Sequence, residues 1–196
     1  MKTREMRRIE EKDMYPHIAN FMESLVYYYH DALRDKTTIR TTTQLRVKLG
    51  NNFPEHDVLT AFTTDGGINR IYSVEAKFGV DVVGVFEQAQ KRCSYCDYCY
   101  IAVPLDRDLY IYFNGLIERL SDLNFYERQN YKIGFMIVDL SSGNVGILRR
   151  AKLNSKLNKE HKDKLFRTIY RKTHSPNVIK KNELIPTKQT KLEDKK

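Results

Sequence analysis

Two short stretches of this chain decide how its fold is read: Pro54-Glu55-His56-Asp57 and Val74-Glu75-Ala76-Lys77. Apolar residues follow or surround each stretch, as they do in strands. Between the two lies Asp65-Gly66-Gly67, a strong turn signal. We therefore predict that the two stretches belong to neighbouring strands of one hairpin, with residues 57–64 pairing with residues 69–78.

This hairpin would bring three charged side chains together. Side chains alternate across a strand, so Glu75 and Lys77 share one face of the second strand. Asp57, at the start of the first strand, would lie beside them. Two acids and one amine at one place suit a divalent metal and an activated water. The alternative is an ordinary exposed ion pair between Glu75 and Lys77, which contributes roughly 0–1 kcal/mol.

Length and composition bound the class of protein. With 196 residues and 41% apolar content, the chain can bury a core, and we expect one domain over residues 1–172. No run of about 18 apolar residues is present, which argues against a membrane span. The first residues mix charges without an apolar signal region, so we expect an intracellular, cytoplasmic protein.

The positive charge is concentrated near the C-terminus. Residues 149–196 carry 16 Lys and Arg against 5 Asp and Glu, a balance of +11, whereas residues 1–148 carry 18 against 20, a balance of −2. A basic segment attracts polyanions by counterion release, so nucleic acid is the first partner to consider. A solvated tail without a partner is the alternative. We expect residues 173–196 to form such a basic tail without a fixed fold.

The periodicity of apolar residues predicts a mixed α/β (α+β) protein in which a mixed sheet is flanked by helices. The predicted order is a helix over 5–34 or from Tyr15 onward, a strand over 37–49, the hairpin, a helix over 81–94, a strand over 97–103, a helix over 115–129, a second hairpin over 133–140 and 145–148, and a helix over 158–172.

The strand context of Asp57 and Glu75-x-Lys77, together with the α-β-β-β-α-β order, resembles the PD-(D/E)xK superfamily of restriction-endonuclease-like nucleases. The resemblance covers about residues 10–104. One departure is that His56, not proline, directly precedes Asp57. The resemblance implies a restriction-endonuclease-like fold and a metal-dependent DNA endonuclease that hydrolyses phosphodiester bonds in restriction, repair or junction resolution.

The same resemblance assigns roles to individual residues. Asp57 and Glu75 would ligate Mg²⁺, with Mn²⁺ as a substitute, and Lys77 would position or deprotonate the attacking water. Glu11 resembles a metal-directed glutamate on the first helix, and Glu10 and Glu23 are the alternatives. Gln88 resembles a glutamine that several subfamilies hold beside the catalytic site, and Gln90 is its alternative.

Duplex or branched DNA is the partner that this reading implies. The basic residues expected to contact its phosphates are Arg40, Arg46, Lys48, Lys91 and Arg92. Cutting two strands favours a homodimer with two sites related by symmetry. Two other functions stay open: a binding module that keeps the nuclease fold without cutting, and a nuclease or regulator directed at RNA.

Three cysteines, Cys93, Cys96 and Cys99, have a C-x₂-C-x₂-C spacing that also occurs in zinc and iron–sulfur sites. A fourth ligand is missing from the pattern. Cys93 falls at a predicted helix end and Cys99 within a predicted strand, so we expect the three side chains to point in different directions. The interpretation that we prefer is three small core residues in a reducing compartment.

Overall fold

The structure is a computed structural model that describes residues 10–29, 37–78, 82–105, 132–173 and 177–179. The elements are, in chain order, a 3₁₀ helix Glu11–Asp13, α1 Tyr15–Tyr29, β1 Thr37–Arg46, β2 Glu55–Thr64, β3 Asn69–Ala76, α2 Val82–Arg92, β4 Tyr98–Pro104, β5 Gly134–Asp139, β6 Asn144–Arg149, α3 Lys159–Lys172 and β7 Asn177–Ile179.

The described strands form one mixed sheet in the order β6-β5-β4-β3-β2-β1-β7. Strands β1, β2 and β3 are successive antiparallel neighbours, and β7 pairs antiparallel with β1. After α2 the chain returns as β4, parallel to β3, and β5 is parallel to β4. The prediction of a mixed sheet flanked by helices is confirmed.

The β2–β3 hairpin forms as predicted. Its register runs from Val58 opposite Val74 to Thr63 opposite Asn69. In the turn, Thr64 accepts the N–H of Gly67 at 2.9 Å. Gly67 has a φ of +79°, a conformation that side chains disfavour and that glycine adopts freely. The glycine pair read from the sequence therefore sets this turn.

Helices cover both faces of the sheet. On one face, Ile18 and Met22 of α1 pack against Val58 and Val74. On the other face lie α2 and α3. Buried residues of α2 pack with Ile101 of β4: Val85, Phe86 and Ala89. Leu165 and Ile169 of α3 pack with Leu59 of β2 and Ile71 of β3. The ends of β2 and β3 are thus enclosed between α1 and α2.

Several predicted boundaries can be compared with the structure. α1 begins at Tyr15, the second of the two starts considered, and Pro16 is accommodated in the first turn, where its N–H is not needed. The predicted helix over 115–129 lies outside the described residues. Among the helices that are described, none combines the length and apolarity needed to span a membrane.

The region expected to lack a fixed fold contains a strand. β7 pairs with β1, with Thr37 opposite Ile179 and Ile39 opposite Asn177. The expectation for residues 173–196 is therefore wrong at 177–179. Periodicity could not reveal this strand, because three residues are too few to show a pattern.

Candidate active site

Asp57 lies where β2 and β3 stop pairing. The last paired residues are Val58 and Val74, and the Asp57 side chain occupies the space beyond them. Its Oδ2 accepts the backbone N–H of Ala76 at 2.8 Å, and its Oδ1 accepts the hydroxyl of Tyr15 at 3.0 Å. Asp57 is thus fixed both to β3 and to the first turn of α1.

The alternation of side chains is broken at this residue. His56 and Val58 are two positions apart, yet Val58 packs on the α1 face while His56 contacts the ring of Tyr95 on the opposite face, with centroids 5.7 Å apart. The neighbouring strand is irregular at the same level, where Gln44 has a φ of +51°. An uninterrupted period of two would have put both residues on one face.

Glu75 is 2% exposed and is held by an arginine. Its Oε1 accepts from Nε of Arg92 at 2.9 Å and from the hydroxyl of Ser73 at 3.3 Å. Arg92 also donates to the hydroxyl of Tyr95 at 3.2 Å and to the carbonyl oxygen of Glu55 at 2.6 Å. Arg92 is only 8% exposed, so it lies inside the site and not on the outer surface, where the sequence suggested a phosphate contact.

The carboxylates of Asp57 and Glu75 influence each other. Burial is the main cause that raises the pKa of each above its ordinary value, because it disfavours the charged form. The pKa of Glu75 is lowered in part by Arg92 and raised further by the negative charge of Asp57. Glu11 raises the pKa of Asp57 in the same way. The negative charge of Asp57 is therefore felt at Glu75, and that of Glu11 at Asp57, so a cation bound between these residues would relieve the repulsion.

Lys77 pairs with Glu11, a residue of the 3₁₀ helix that precedes α1. Nζ of Lys77 lies 3.1 Å from Oε1 of Glu11, and the same oxygen accepts the N–H of Phe78 at 3.2 Å. Both side chains are about one-third exposed, so solvent reaches this edge. These contacts join Glu11, one of the three glutamates considered for this role, to the residues that follow β3. Glu10 pairs instead with Lys12, at 2.6 Å.

Gln88 lies on an exposed part of α2, one helical turn before Arg92. Among the contacts described for the site, none joins Gln88 to Asp57, Glu75 or Lys77. Its catalytic role remains a prediction from the resemblance. Lys91, on the same helix, is exposed as expected of a phosphate contact.

The basic residues of β1 and its continuation have different surroundings. Arg40 contacts α3: its guanidinium lies 4.6 Å from the ring centroid of Tyr170 and donates to the carbonyl oxygens of Tyr170 and Thr173. Arg46 is exposed and pairs with Glu55. Lys48 lies over the ring of Phe53, at 5.4 Å. Arg40 therefore anchors a helix, whereas Arg46 and Lys48 face solvent.

The donor set is chemically suited to a hard divalent cation. Asp57, Glu75 and Glu11 offer carboxylate oxygen, the ligand that Mg²⁺ prefers. In the part of the chain that is described, no three acidic, histidine or cysteine side chains are already arranged to hold an ion. The reason is local, because each of these carboxylates is turned toward a donor of its own. The residues fit the metal by type and charge.

The three cysteines converge, contrary to the prediction that they point apart. The Cys99 thiol is within hydrogen-bonding reach of both Cys93 and Cys96, and Nδ2 of Asn154 lies 4.0 Å from its sulfur. Cys96 and Cys99 are buried, and Cys93 is half-buried. Their membership of the core is confirmed. The helix end and the strand that carry them meet, which linear spacing does not reveal.

Two residues of the site, Tyr15 and Ser73, were missed by the sequence interpretation, and Arg92 was assigned to a phosphate contact and not to the interior. Tyr15 and Arg92 belong to elements that were read correctly, but a helical position does not state which neighbour a long side chain will reach. The available signal for Arg92 was Glu75 itself, because a buried acid needs a partner.

No protein-family model and no curated protein matches this chain. A search of solved structures finds similarity to the SPO1766 protein of unknown function from Silicibacter pomeroyi. The TM-score is 0.51 and the identity 14%, over 85% of this chain and 87% of that one. At this identity the likeness concerns the fold alone.

Proposed function

We propose that this protein is a metal-dependent DNA endonuclease of the PD-(D/E)xK type. One arrangement supports the proposal: Asp57, Glu75 and the Lys77–Glu11 pair, from three separate segments, lie at the end of the sheet where β2 and β3 part. Lys77 pairs with Glu11 at 3.1 Å, and the charges of Glu11 and Asp57 raise the pKa of Asp57 and Glu75 respectively. An ordinary surface ion pair would not explain why Glu75 is buried and feels the negative charge of Asp57.

The topology supports the finer assignment of a restriction-endonuclease-like fold. The described order of a helix, three antiparallel strands, a helix and a strand parallel to the third strand is the order that the resemblance implies for an α-β-β-β-α-β core. Asp57 lies on the second strand of this core, and Glu75 and Lys77 lie on or just after the third. This placement agrees with the positions that the PD-(D/E)xK signature occupies.

Asp57, Glu75 and Glu11 would hold the metal, which when bound offsets the negative charge of the phosphate. The protein supplies the rest of the chemistry. Lys77 presents its ammonium group at the solvent-accessible edge, where it orients a water and neutralises a phosphate oxygen. Tyr15 and the N–H of Ala76 fix the Asp57 carboxylate, so its orientation does not have to be acquired during the reaction.

A binding module without catalysis is the second candidate, and one observation favours it. Each of the acids already has a protein donor: Asp57 has Tyr15, Glu75 has Arg92, and Glu11 has Lys77. Paired carboxylates need no metal to be stable in a partly buried place. In that case the protein would bind DNA in the presence or absence of a divalent cation.

A cleavage assay separates the two. Supercoiled, linear and branched DNA, with an RNA substrate as a further arm, is incubated with Mg²⁺, Mn²⁺ or EDTA. We expect cleavage that EDTA abolishes and that Glu75→Gln and Lys77→Met each lower by at least about 100-fold. Lys12→Met is the matched control. Lys12 is also a lysine in an ion pair with a glutamate, but its partner is Glu10 and not a residue of the proposed site.

The possible results have different meanings. DNA binding without cleavage, in all metals, would support the binding module and contradict the nuclease. Cleavage that survives Glu75→Gln would show that the activity does not come from this site. Preferential cutting of the RNA substrate would move the substrate class from DNA to RNA while keeping the chemistry.

We also propose that duplex cutting uses a homodimer, since each chain carries one candidate site and two strands must be cut. Sedimentation of the protein with and without a duplex would measure this. A monomer that linearises duplex DNA in one binding event would contradict the proposal.

A further inference from the structure

A groove of about 950 Å³ lies between α2, the first turn of α3 and the segment that joins β1 to β2. Its floor includes the buried ring of Tyr95, and Phe53 forms one wall. The volume is within the range of pockets that enclose small organic ligands, about 300–1,000 Å³. None of the residues assigned to metal binding lines it. The groove is therefore a separate feature that needs its own explanation.

Phe53 is the most exposed of the large apolar residues described, at 61%. It directly follows a tight turn in which Leu49 and Asn52 exchange backbone hydrogen bonds of 2.8 and 3.1 Å. The ammonium group of Lys48 lies 5.4 Å from the Phe53 ring centroid. The turn thus presents an aromatic face to solvent beside a positive charge, on a backbone that is already ordered.

Beside the apolar Leu49 and Pro54, the lining contains polar residues that can bind the edge of a flat heterocycle. Asn52 and Gln90 carry amides, which donate and accept hydrogen bonds. His161 is held in place because the Asn158 side chain accepts its backbone N–H at 3.0 Å, at the start of α3. Lys91 adds a positive charge at the rim, where Glu87 adds a negative one.

The groove and the candidate active site share one side chain. Arg92 lines the groove and donates to Glu75 at 2.9 Å. Arg92 therefore lies between the groove and the carboxylate of Glu75. Lys91 in the lining and Lys48 beside the Phe53 ring supply positive charge, which attracts a sugar–phosphate backbone.

We propose that the groove takes one unpaired nucleobase of the nucleic-acid substrate, stacked on Phe53, while Lys48 and Lys91 contact the adjoining phosphates. This rests on the proposed function and narrows it: the substrate has a single-stranded or branched segment next to the bond that is cut. Stacking on an aromatic side chain is tolerant of sequence, because every base has a flat face. The groove would select for strand structure and not for sequence.

The test is a binding measurement in EDTA, so that it does not depend on cleavage. The chain contains no tryptophan, so Phe53→Trp introduces a single tryptophan, whose fluorescence can be excited selectively over that of the 13 tyrosines. The probes are a thymidine oligonucleotide of about 10 nucleotides, an abasic strand with the same number of phosphates, and a ribose version of the first. We expect the thymidine strand to quench the reporter and the abasic strand to leave it unchanged.

Phe53→Ala provides the affinity measurement. We expect it to weaken binding of the thymidine strand by about 5- to 150-fold, with much less effect on the abasic strand. Leu148→Ala is the matched control, because Leu148 is also an exposed apolar residue, at 46%, but lies on β6. Equal affinities for the two variants would overturn the proposal, as would equal quenching by the abasic strand or no binding of single strands at all.

The two proposals fail in distinguishable ways. If the nuclease proposal is wrong, no metal causes cleavage, yet base-dependent quenching in EDTA remains. If the groove proposal is wrong, Phe53→Ala cuts branched and duplex DNA as the unaltered protein does. Comparison of the deoxyribose and ribose strands then states which nucleic acid the groove prefers.

Discussion

Arg92 Nε lies 2.9 Å from Glu75 Oε1, and both side chains are at most one-tenth exposed. This pair joins α2 to β3 beneath the candidate active site. Removing one partner of a buried ion pair leaves the other charge buried without a partner. The resulting loss of folding stability is larger than the net stabilisation that the intact pair provides. Arg92 thus ties the stability of the fold to the orientation of a proposed metal ligand.

We predict that Arg92→Met lowers the free energy of unfolding by about 3 kcal/mol, measured by urea denaturation. The double variant Arg92→Met/Glu75→Gln should lose less than the sum of its single changes, because no unpaired charge remains. Arg46→Met is the control, since it breaks the exposed pair with Glu55 and should cost at most about 1 kcal/mol. Equal losses for Arg92→Met and Arg46→Met would contradict the prediction.

Glu11→Gln should separate stability from activity. Its pair with Lys77 is open to solvent, so the variant should change the free energy of unfolding by less than about 1 kcal/mol. Cleavage should nevertheless fall by at least about tenfold, because Lys77 loses its orientation and the metal loses a ligand. The measurement is initial cleavage rate at saturating Mg²⁺, with Glu10→Gln as the control. A rate equal to that of the control would exclude Glu11 from the site.

The buried His56 should make the free energy of unfolding depend on pH. Burial, with a smaller contribution from Arg92, lowers its pKa from 6.5 to about 3, so the folded protein keeps this histidine neutral where the unfolded chain protonates it. The contribution of His56 to the free energy of unfolding is complete above about pH 6.5. It is lost as the pH falls toward 3, by about 1 kcal/mol per pH unit. Asp57 and Glu75 act with the opposite sign, because their pKa values are raised.

Comparison with His56→Gln isolates the effect of this one residue. Urea denaturation at pH 7.5 and pH 5 should show a smaller loss on acidification in the variant, which has no titrating group at this position. Identical pH slopes for the two proteins would mean that the pKa of His56 is the same in the folded and unfolded states, which would contradict the prediction.

The cysteines should differ in reactivity. Cys93 is half-buried, and the hydrogen bond from Cys99 lowers its pKa, whereas burial raises the pKa of Cys99. Thiolates are the reactive form, so iodoacetamide should modify Cys93 at least about tenfold faster than Cys99 in the folded protein. Peptide mass spectrometry measures this, and in urea the three rates should become similar. Modification of Cys99 first would contradict the packing described for these thiols.

The sequence predicted those features that depend on local pattern. The Asp65-Gly66-Gly67 turn set the β2–β3 hairpin, and apolar periodicity located α2 and β4 within a few residues. It could not predict features that depend on contacts between distant segments. The break in alternation at Asp57 accompanies the unusual backbone of Gln44 on a neighbouring strand, and no local pattern indicates it.

The side chains of the site also divide into those that local sequence patterns indicate and those that depend on contacts between distant segments. Asp57, Glu75 and Lys77 were selected as members of a short signature, and Glu11 for its place near the start of the first helix. Arg92 was read as a surface cation, since a basic residue near a helix end is usually exposed. Its burial follows from the need of Glu75 for a partner, which becomes evident only when α2 is packed on β3.

The short strand β7 determines how a truncated protein would behave. It covers one end of β1, a ten-residue strand whose outer edge would otherwise present unpaired N–H and C=O groups to other molecules. A deletion of residues 173–196, intended to remove basic charge, would also strip this edge and favour self-association. A deletion that begins after Ile179 keeps the edge of β1 covered. Any loss of DNA affinity in that variant would therefore come from the removed positive charge and not from self-association.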